Sequence, residues 1–139
     1  MNDQTIKLFS SKNNDIWATP PDLYNKLNAE FNFNLDPCPL NPKFDGLNIS
    51  WNDNIFVNPP YSQINKWLIK AHHELKLKHA KIIVFLVFAN TDTNWFHNHV
   101  LGKAEIRFIK GRLKFIGKNN KGVMVNNSAM RPSILCIFK

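Results

Sequence analysis

Cysteine is scarce in this chain: Cys38 and Cys136 stand far apart and form no C-x-x-C pair. That pattern excludes a disulfide framework and a paired-cysteine zinc site, and it reads as two reduced thiols of a cytosolic protein. Long apolar runs are also missing. The longest, Ile82-Ile83-Val84-Phe85-Leu86-Val87-Phe88-Ala89, is far too short to span a bilayer, so no membrane partner is expected. Met1-Asn2-Asp3-Gln4 has no basic stretch leading into an apolar one; no secretory leader is expected, and the location is read as cytoplasmic. Glycine is rare, and none precedes Gly46, so no glycine-rich turn follows the first strand. Histidines give no metal pair on one helix face: His72 and His73 are adjacent, His97 and His99 two apart. No metal is expected.

Acidic residues nearly vanish from the second half. Residues 66–139 carry fourteen Lys/Arg against three Asp/Glu, a balance of +11, whereas residues 1–65 carry four against seven, a balance of −3. A basic half of this size suits a polyanion, most simply nucleic acid. Charge alone leaves that reading and a solubilising surface standing equally. A length of 139 residues suits one domain, too small for a catalytic domain plus a separate recognition domain. Hydrophobic content of 44% with 12% aromatics describes a folded globule. Residues 1–15 are polar and read as a loose arm; residues 16–139 read as a single catalytic domain.

Within that domain Thr19-Pro20-Pro21-Asp22 reads as a helix start, with Thr19 as N-cap and Pro20 at the first helical position. Leu23, Leu27 and Phe31 follow at four-residue spacing and define a buried face. Phe33–Asp36 reads as a short strand stopped by Pro37 and Pro39, and Ile55–Val57 as a second strand stopped by Asn58-Pro59-Pro60. Ile64, Trp67, Leu68, Ala71 and Leu75 lie on one face of a helix. Ile82–Phe88 is unbroken and β-branched or aromatic, as a strand covered on both faces should be. A short helix is expected around Asp92–Leu101, with Asp92 as cap, then strands over Ala104–Ile109, Leu113–Ile116 and Ser133–Phe138. Residues 117–132 read as a long polar loop. This order predicts an α/β domain with a mostly parallel sheet. Ligands collect at the C-terminal ends of such strands, where Asp36-Pro37-Cys38 and Asn58-Pro59-Pro60-Tyr61 both fall.

The second of these loops has a chemistry of its own. Two consecutive prolines fix φ and remove two N–H groups, leaving nearby carbonyls as rigid acceptors. The Asn58 side-chain oxygen and a proline carbonyl can accept both hydrogens of one exocyclic amino group, and Tyr61 offers a surface on which a planar ring stacks. Two accepted hydrogen bonds favour a more pyramidal nitrogen with its lone pair directed at an electrophile. Direct methyl transfer from a sulfonium would then need positioning and electrostatics but no covalent intermediate. The same tetrapeptide occurs in enzymes that methylate protein glutamine amides, so it specifies the nitrogen better than the substrate.

The chain resembles the phage-type DNA N6-adenine methyltransferases, the small Dam-like family. The resemblance rests on Trp17-Ala18-Thr19-Pro20, Leu35-Asp36-Pro37-Cys38, Trp51, Phe56-Val57-Asn58-Pro59-Pro60-Tyr61-Ser62, Lys66-Trp67, Thr91–His97 and Gly111-Arg112-Leu113-Lys114-Phe115, in that order. It implies a reduced class I methyltransferase (Rossmann-like) domain and transfer of a methyl group from S-adenosylmethionine to adenine N6. The partner is double-stranded DNA with the adenine flipped out, and the setting is that of a phage or prophage protein in a bacterial host cell. Catalytic residues are then Asn58, Pro59, Pro60 and Tyr61. Cofactor residues are Trp17, Thr19, Pro20 and Asp36, with Pro37 and Cys38 beside them and the prolines at 37 and 39 replacing the glycine-rich turn. Asp45 and Asp53 are candidates for a ribose ligand. Pro37-Cys38 is also the dipeptide of the cytosine-C5 nucleophile, but it lies at the cofactor strand, so a structural or cofactor-lining cysteine is expected. Arg112 is read as a DNA-phosphate or active-site contact in preference to an exposed turn, and Lys114 is assigned to DNA; Lys118, Lys121 and Arg131 form either a DNA-reaching loop or a basic surface loop, the two readings standing equally. So little chain lies outside the catalytic core that target selectivity must come from short loops, a homodimer or low selectivity. An RNA adenine or protein glutamine methyltransferase, or a catalytically silent nucleic-acid-binding relative, are the competing readings.

Overall fold

The computed structural model describes residues 17–118, 124–128 and 131–139. The expected loose arm (1–15) and Lys121 lie outside the described residues. A four-stranded sheet forms the centre, built from β1 (Asp53–Val57), β2 (Ala80–Phe88), β3 (Glu105–Phe108) and β6 (Ser133–Phe138) in the order β1-β2-β6-β3. β1 and β2 pair in parallel, while β6 runs antiparallel to both β2 and β3. The sheet is therefore mixed, where the sequence led us to expect a mostly parallel one. The cause is the excursion between β3 and β6. Ile109 N–H donates to the Ser133 carbonyl at 3.4 Å, so the chain leaves and re-enters at one edge and the returning strand must run backwards.

That excursion is itself a strand pair. β4 (Lys114–Lys118) and β5 (Met124–Ser128) form an antiparallel ribbon, which replaces the long loop expected over 117–132. Asn126 and Asn127 have low strand preference, which hid β5 from a reading based on apolar alternation. Ala18 pairs with Ile116, adding the segment after the described N-terminal edge to the ribbon. On the other side, the strand expected over Phe33–Asp36 shrinks to a single parallel bridge between Leu35 and Ile55. Pro37 has no N–H to continue the ladder, so the chain leaves the sheet at Asp36.

Both faces of β2 are covered, as its unbroken apolar run demands. Ile83, Phe85 and Val87 pack with Trp51, Trp67 and Phe96, whereas Val84 and Leu86 pack with Leu27, Phe31 and Phe115. Helix α1 (Pro21–Phe31) supplies one cover, and α2 (Ile64–Lys76) with α3 (Asn94–His99) the other. At the start of α1, Pro20 holds the N-cap position without a side-chain cap and Pro21 the first helical position, one residue later than expected, so Thr19 is not the cap. In α3 the cap is Thr93, whose Oγ1 accepts from Phe96 N–H at 3.3 Å; Asp92 is exposed outside a shorter helix than the sequence suggested. On α2, Glu74 is buried between Lys70 (2.6 Å) and His79. Burial pushes its carboxyl up, but the hydrogen bonds from Lys70 and His79 more than offset this and hold it below the usual range. Among the described residues no helix is long and apolar enough to cross a membrane.

Gly46 fixes the loop that follows Asp36. A Cβ there would lie 1.9 Å from the Pro37 carbonyl oxygen and 2.8 Å from the Trp67 ring, while the Gly46 carbonyl accepts the Trp51 indole N–H at 2.8 Å. Only a residue without a side chain lets Pro37 approach so closely. Gly46→Ala is expected to lower stability by about 1–3 kcal/mol, the usual range for overpacking a filled interior. Urea unfolding checks this, and an unchanged midpoint would show that the loop yields freely.

Candidate active site

β1 delivers Asn58 to the C-terminal edge of the sheet, where only 9% of it is exposed. Its Nδ2 donates to the Trp17 carbonyl at 2.7 Å and to Thr19 Oγ1 at 3.1 Å. A backbone carbonyl can only accept, so the amide nitrogen must face it and the flip of the side chain is decided by the network. Both amide hydrogens are engaged, and Oδ1 is the group the side chain still has to offer. Pro59 and Pro60 are buried behind it, and Tyr61–Gln63 makes a single 3-10 turn into α2. The Tyr61 ring stacks on Phe88 with centroids 4.2 Å apart and planes 24° apart. Phe88 in turn meets the edge of Phe115 on β4 at 6.5 Å. Neither phenylalanine was given a role at the site from the sequence, where Phe115 stood only within the Gly111–Phe115 motif and Phe88 only within an apolar run. Phe88 ends an apolar run at a strand's C-terminus, which is the position that could have flagged it.

A cavity of about 310 Å³ opens beside Asn58, within the size range of small-molecule sites. Of the residues expected at a cofactor, Trp17, Thr19, Asp36 and Cys38 line it together with Asn58. Pro20 and Pro37 are not among its walls: Pro20 caps α1, and Pro37 packs under Gly46. Pro39, expected in the turn that replaces the glycine-rich one, also lines the cavity, and Ala18, Pro21, Tyr24, Asn25 and Leu40, to which sequence reasoning assigned no role at the site, complete the lining. Asn25 sits on the side of α1 that periodicity assigns to solvent, whereas Tyr24 lies on the apolar face beside Leu27 and Phe31, its ring 5.2 Å from that of Phe56. Asp45 and Asp53 lie elsewhere. Asp45 caps the Gly46–Asn48 turn by accepting from Leu47 N–H at 3.0 Å, and Asp53 begins β1 at the opposite edge, 3.8 Å from Lys81.

Asp36 gives the cavity its electrostatic character. Burial pushes its carboxyl up to about 6, opposed by the Cys38 N–H that donates to Oδ1 at 3.0 Å. Tyr24 is pushed up as well, by burial and then by the Asp36 charge. An under-solvated carboxylate in a cavity of this size suits a small cationic ligand. Both cysteines are buried, and burial pushes Cys136 up to about 12, which keeps that thiol protonated. Among the described residues no group of three His, Cys, Asp or Glu could hold a metal.

With an acceptor and a cation-suited cavity side by side, comparison with known proteins is decisive. Residues 7–139 match the family described as DNA N-6-adenine-methyltransferase (Dam). The chain belongs to that family. A DNA N-6-adenine-methyltransferase of Haemophilus phage HP1 (strain HP1c1) is 29% identical over 139 residues, covering 90% of this chain and 79% of the relative. No solved structure gives a significant match. As a Dam-family member, the chain is a DNA adenine-N6 methyltransferase enzyme of the phage type.

The basic residues of this Dam-family enzyme divide by position. Lys114 is exposed at the start of β4, Arg112 is exposed beside Gly111, and Lys118 ends β4. Arg131 donates from Nη1 to Asn90 Oδ1 at 3.1 Å, which sets it just beyond the C-terminal end of β2. A larger depression of about 700 Å³, lined by His72, His99, Lys76 and Lys103 among others, includes Phe138 and Lys139 at the end of the reversed strand β6. It shares no residue with the cavity, and the chemistry-bearing residues converge on the smaller one.

Proposed function

We propose that this Dam-family chain binds S-adenosylmethionine in the cavity beside Asp36 and receives a flipped-out adenine of double-stranded DNA at Asn58–Tyr61. The observation that carries this reading is the orientation of Asn58. With both amide hydrogens held by Trp17 and Thr19, its Oδ1 is left to accept a hydrogen from an amino group rather than to compete for one. When bound, S-adenosylmethionine supplies an electrophilic methyl group carried by a sulfonium.

The protein's residues do the rest by position and charge. The Asp36 carboxylate complements the cationic donor, and Trp17, Thr19 and Cys38 form the walls around it, while Pro20 at the start of α1 and Pro37 against Gly46 act on the backbone outside those walls. Asn58 Oδ1 and the Pro59 carbonyl accept the two amino hydrogens of adenine. The lone pair on N6 is thereby drawn out of conjugation and turned towards the donor. Tyr61, backed by Phe88, supplies the stacking surface, and Pro60 keeps the turn from relaxing. A base inside a duplex cannot reach an acceptor this deeply seated, so the adenine must leave the stack. Arg112, Lys114, Lys118, Lys121 and Arg131 are the proposed phosphate contacts. The fold supporting this site reads as a reduced class I methyltransferase (Rossmann-like) domain: Leu35, β1 and β2 run in parallel, and both loops leave at one edge. Its setting is the cytoplasm of a bacterial host.

Incubation with radiolabelled S-adenosylmethionine and DNA, RNA or protein tests the reading. Label is expected in DNA alone, recovered as N6-methyladenine; label confined to RNA or protein overturns it.

A further inference from the structure

Both partners of the Asn58 amide come from residues 17–19, a segment that belongs to neither β1 nor the main sheet. Between them lies Ala18, whose backbone is committed to β4. Ala18 N–H donates to the Ile116 carbonyl at 2.6 Å, and Ile116 N–H donates back to the Ala18 carbonyl at 3.1 Å. The Trp17 carbonyl and the Ala18 N–H are the two ends of one planar peptide group, and in a trans peptide they point in opposite directions. One end is held by β4 and the other holds the Asn58 amide at 2.7 Å. Each bond polarises the peptide in the sense that strengthens the other.

The ribbon holds this peptide in a second way. A Cβ on Gly117 would lie 2.2 Å from Trp17 Cε3 and 2.5 Å from Cζ3, so the indole lies flat against a backbone that has no side chain. Any larger residue at 117 must displace the Trp17 indole, whose own backbone carries the carbonyl that holds Asn58.

We infer that Trp17, Thr19 and Gly117 are positioning residues: the β4–β5 ribbon holds the 17–19 segment so that the Asn58 amide nitrogen is turned away from the substrate and its oxygen towards it. The inference rests on the reading of Asn58 as the acceptor for adenine. It adds that two residues at the cavity wall act on turnover through Asn58, beyond any contact with the cofactor. It also links the strand that carries Lys114 and Lys118 to the catalytic amide through one peptide group.

Thr19→Val keeps the shape of the side chain and removes the hydroxyl; Thr19→Ser keeps the hydroxyl; Gly117→Ala displaces the indole. Thr19→Val is expected to lower kcat by roughly 10–100-fold, the scale of a small misplacement of a reacting group. The Kd for S-adenosylmethionine by calorimetry should stay within about threefold, because the cavity keeps its shape and charge. Thr19→Ser should restore kcat, and Gly117→Ala should reproduce the loss. In the free protein, the Asn58 side-chain NH2 resonances should shift in Thr19→Val and Gly117→Ala but return to their wild-type position in Thr19→Ser. A Kd raised in step with a retained kcat at saturating cofactor would make Thr19 a cofactor ligand and overturn the inference. So would unchanged Asn58 resonances in the two disruptive variants. If the wild-type protein labels no DNA, the proposed function fails, and the resonances still decide whether Thr19 and Gly117 orient Asn58.

Discussion

Asn58→Ala is expected to reduce methyl transfer to DNA by roughly 10²–10³-fold at saturating S-adenosylmethionine, the cost of removing one preorganised polar group aimed at the reacting atom. Pro59 offers one fixed carbonyl, and a single acceptor leaves the second amino hydrogen of adenine unengaged. Truncation also leaves the Trp17 carbonyl and the Thr19 hydroxyl without their donor. Asn58→Asp is the more telling variant. A carboxylate has acceptors to spare but no hydrogen to give, so it would face the Trp17 carbonyl lone pairs at the distance where the amide now donates. Asn58→Asp should therefore lose activity about as fully as Asn58→Ala and should also unfold at lower urea. Initial rates with labelled cofactor and urea midpoints check both. An Asp variant with wild-type activity would mean that the donors of Asn58 are irrelevant to its role.

Asp36→Asn is expected to weaken cofactor binding and, at the same time, to stabilise the free protein. Its folded-state value of about 6 lies above the unfolded-state value of about 3.9. Between these values the native state holds more protons than the unfolded state, so Asp36 makes stability fall as pH rises from about 4 to about 6. Above that window the cost is constant. Asparagine removes the charge while its Oδ1 still accepts the Cys38 N–H. The variant should be more stable than wild type by about 1–3 kcal/mol at pH 8, with no gain at pH 4. Urea unfolding at the two pH values measures this. Calorimetry should show wild-type affinity for S-adenosylmethionine rising as pH passes through about 6, and a lower, flat profile for the variant. Unchanged affinity in Asp36→Asn would remove Asp36 from the cofactor site. A group that destabilises the empty protein yet is required by a cationic ligand is the behaviour expected of a binding residue rather than a structural one.

The elements that proved readable from sequence were those dominated by one local rule. The run from Ile82 to Phe88 had to be a strand covered on both faces, because nothing polar interrupts it. The stripe Ile64, Trp67, Leu68, Ala71 had to be one face of a helix, and all four are buried. Less readable were the helix starts. Pro20 and Pro21 each satisfy the preference for proline at a helix N-terminus, and only packing selects the second for the first helical position. The strand at Leu35 fell short because Pro37 ends the ladder. β5 escaped notice because its two asparagines carry no apolar alternation, and its pairing with β4 supplies what its own sequence lacks.

The sequence by itself determined the chemistry on offer: an amide followed by two prolines and an aromatic ring at the end of an apolar strand, with a carboxylate before a proline at the end of another. Those assignments follow from local covalent facts, such as the missing N–H of proline, that no fold can change. Only the tertiary structure decided which way the Asn58 amide faces, because that depends on a carbonyl and a hydroxyl about forty residues away in the chain. It also decided that the sheet is mixed, since β6 must run backwards from an excursion that returns to the edge it left. And it decided that Gly117 matters, because the indole of Trp17 lies against it and one hundred residues of chain separate the two. Contacts between distant segments leave no periodic trace in either segment, so they exist only once the chain has folded.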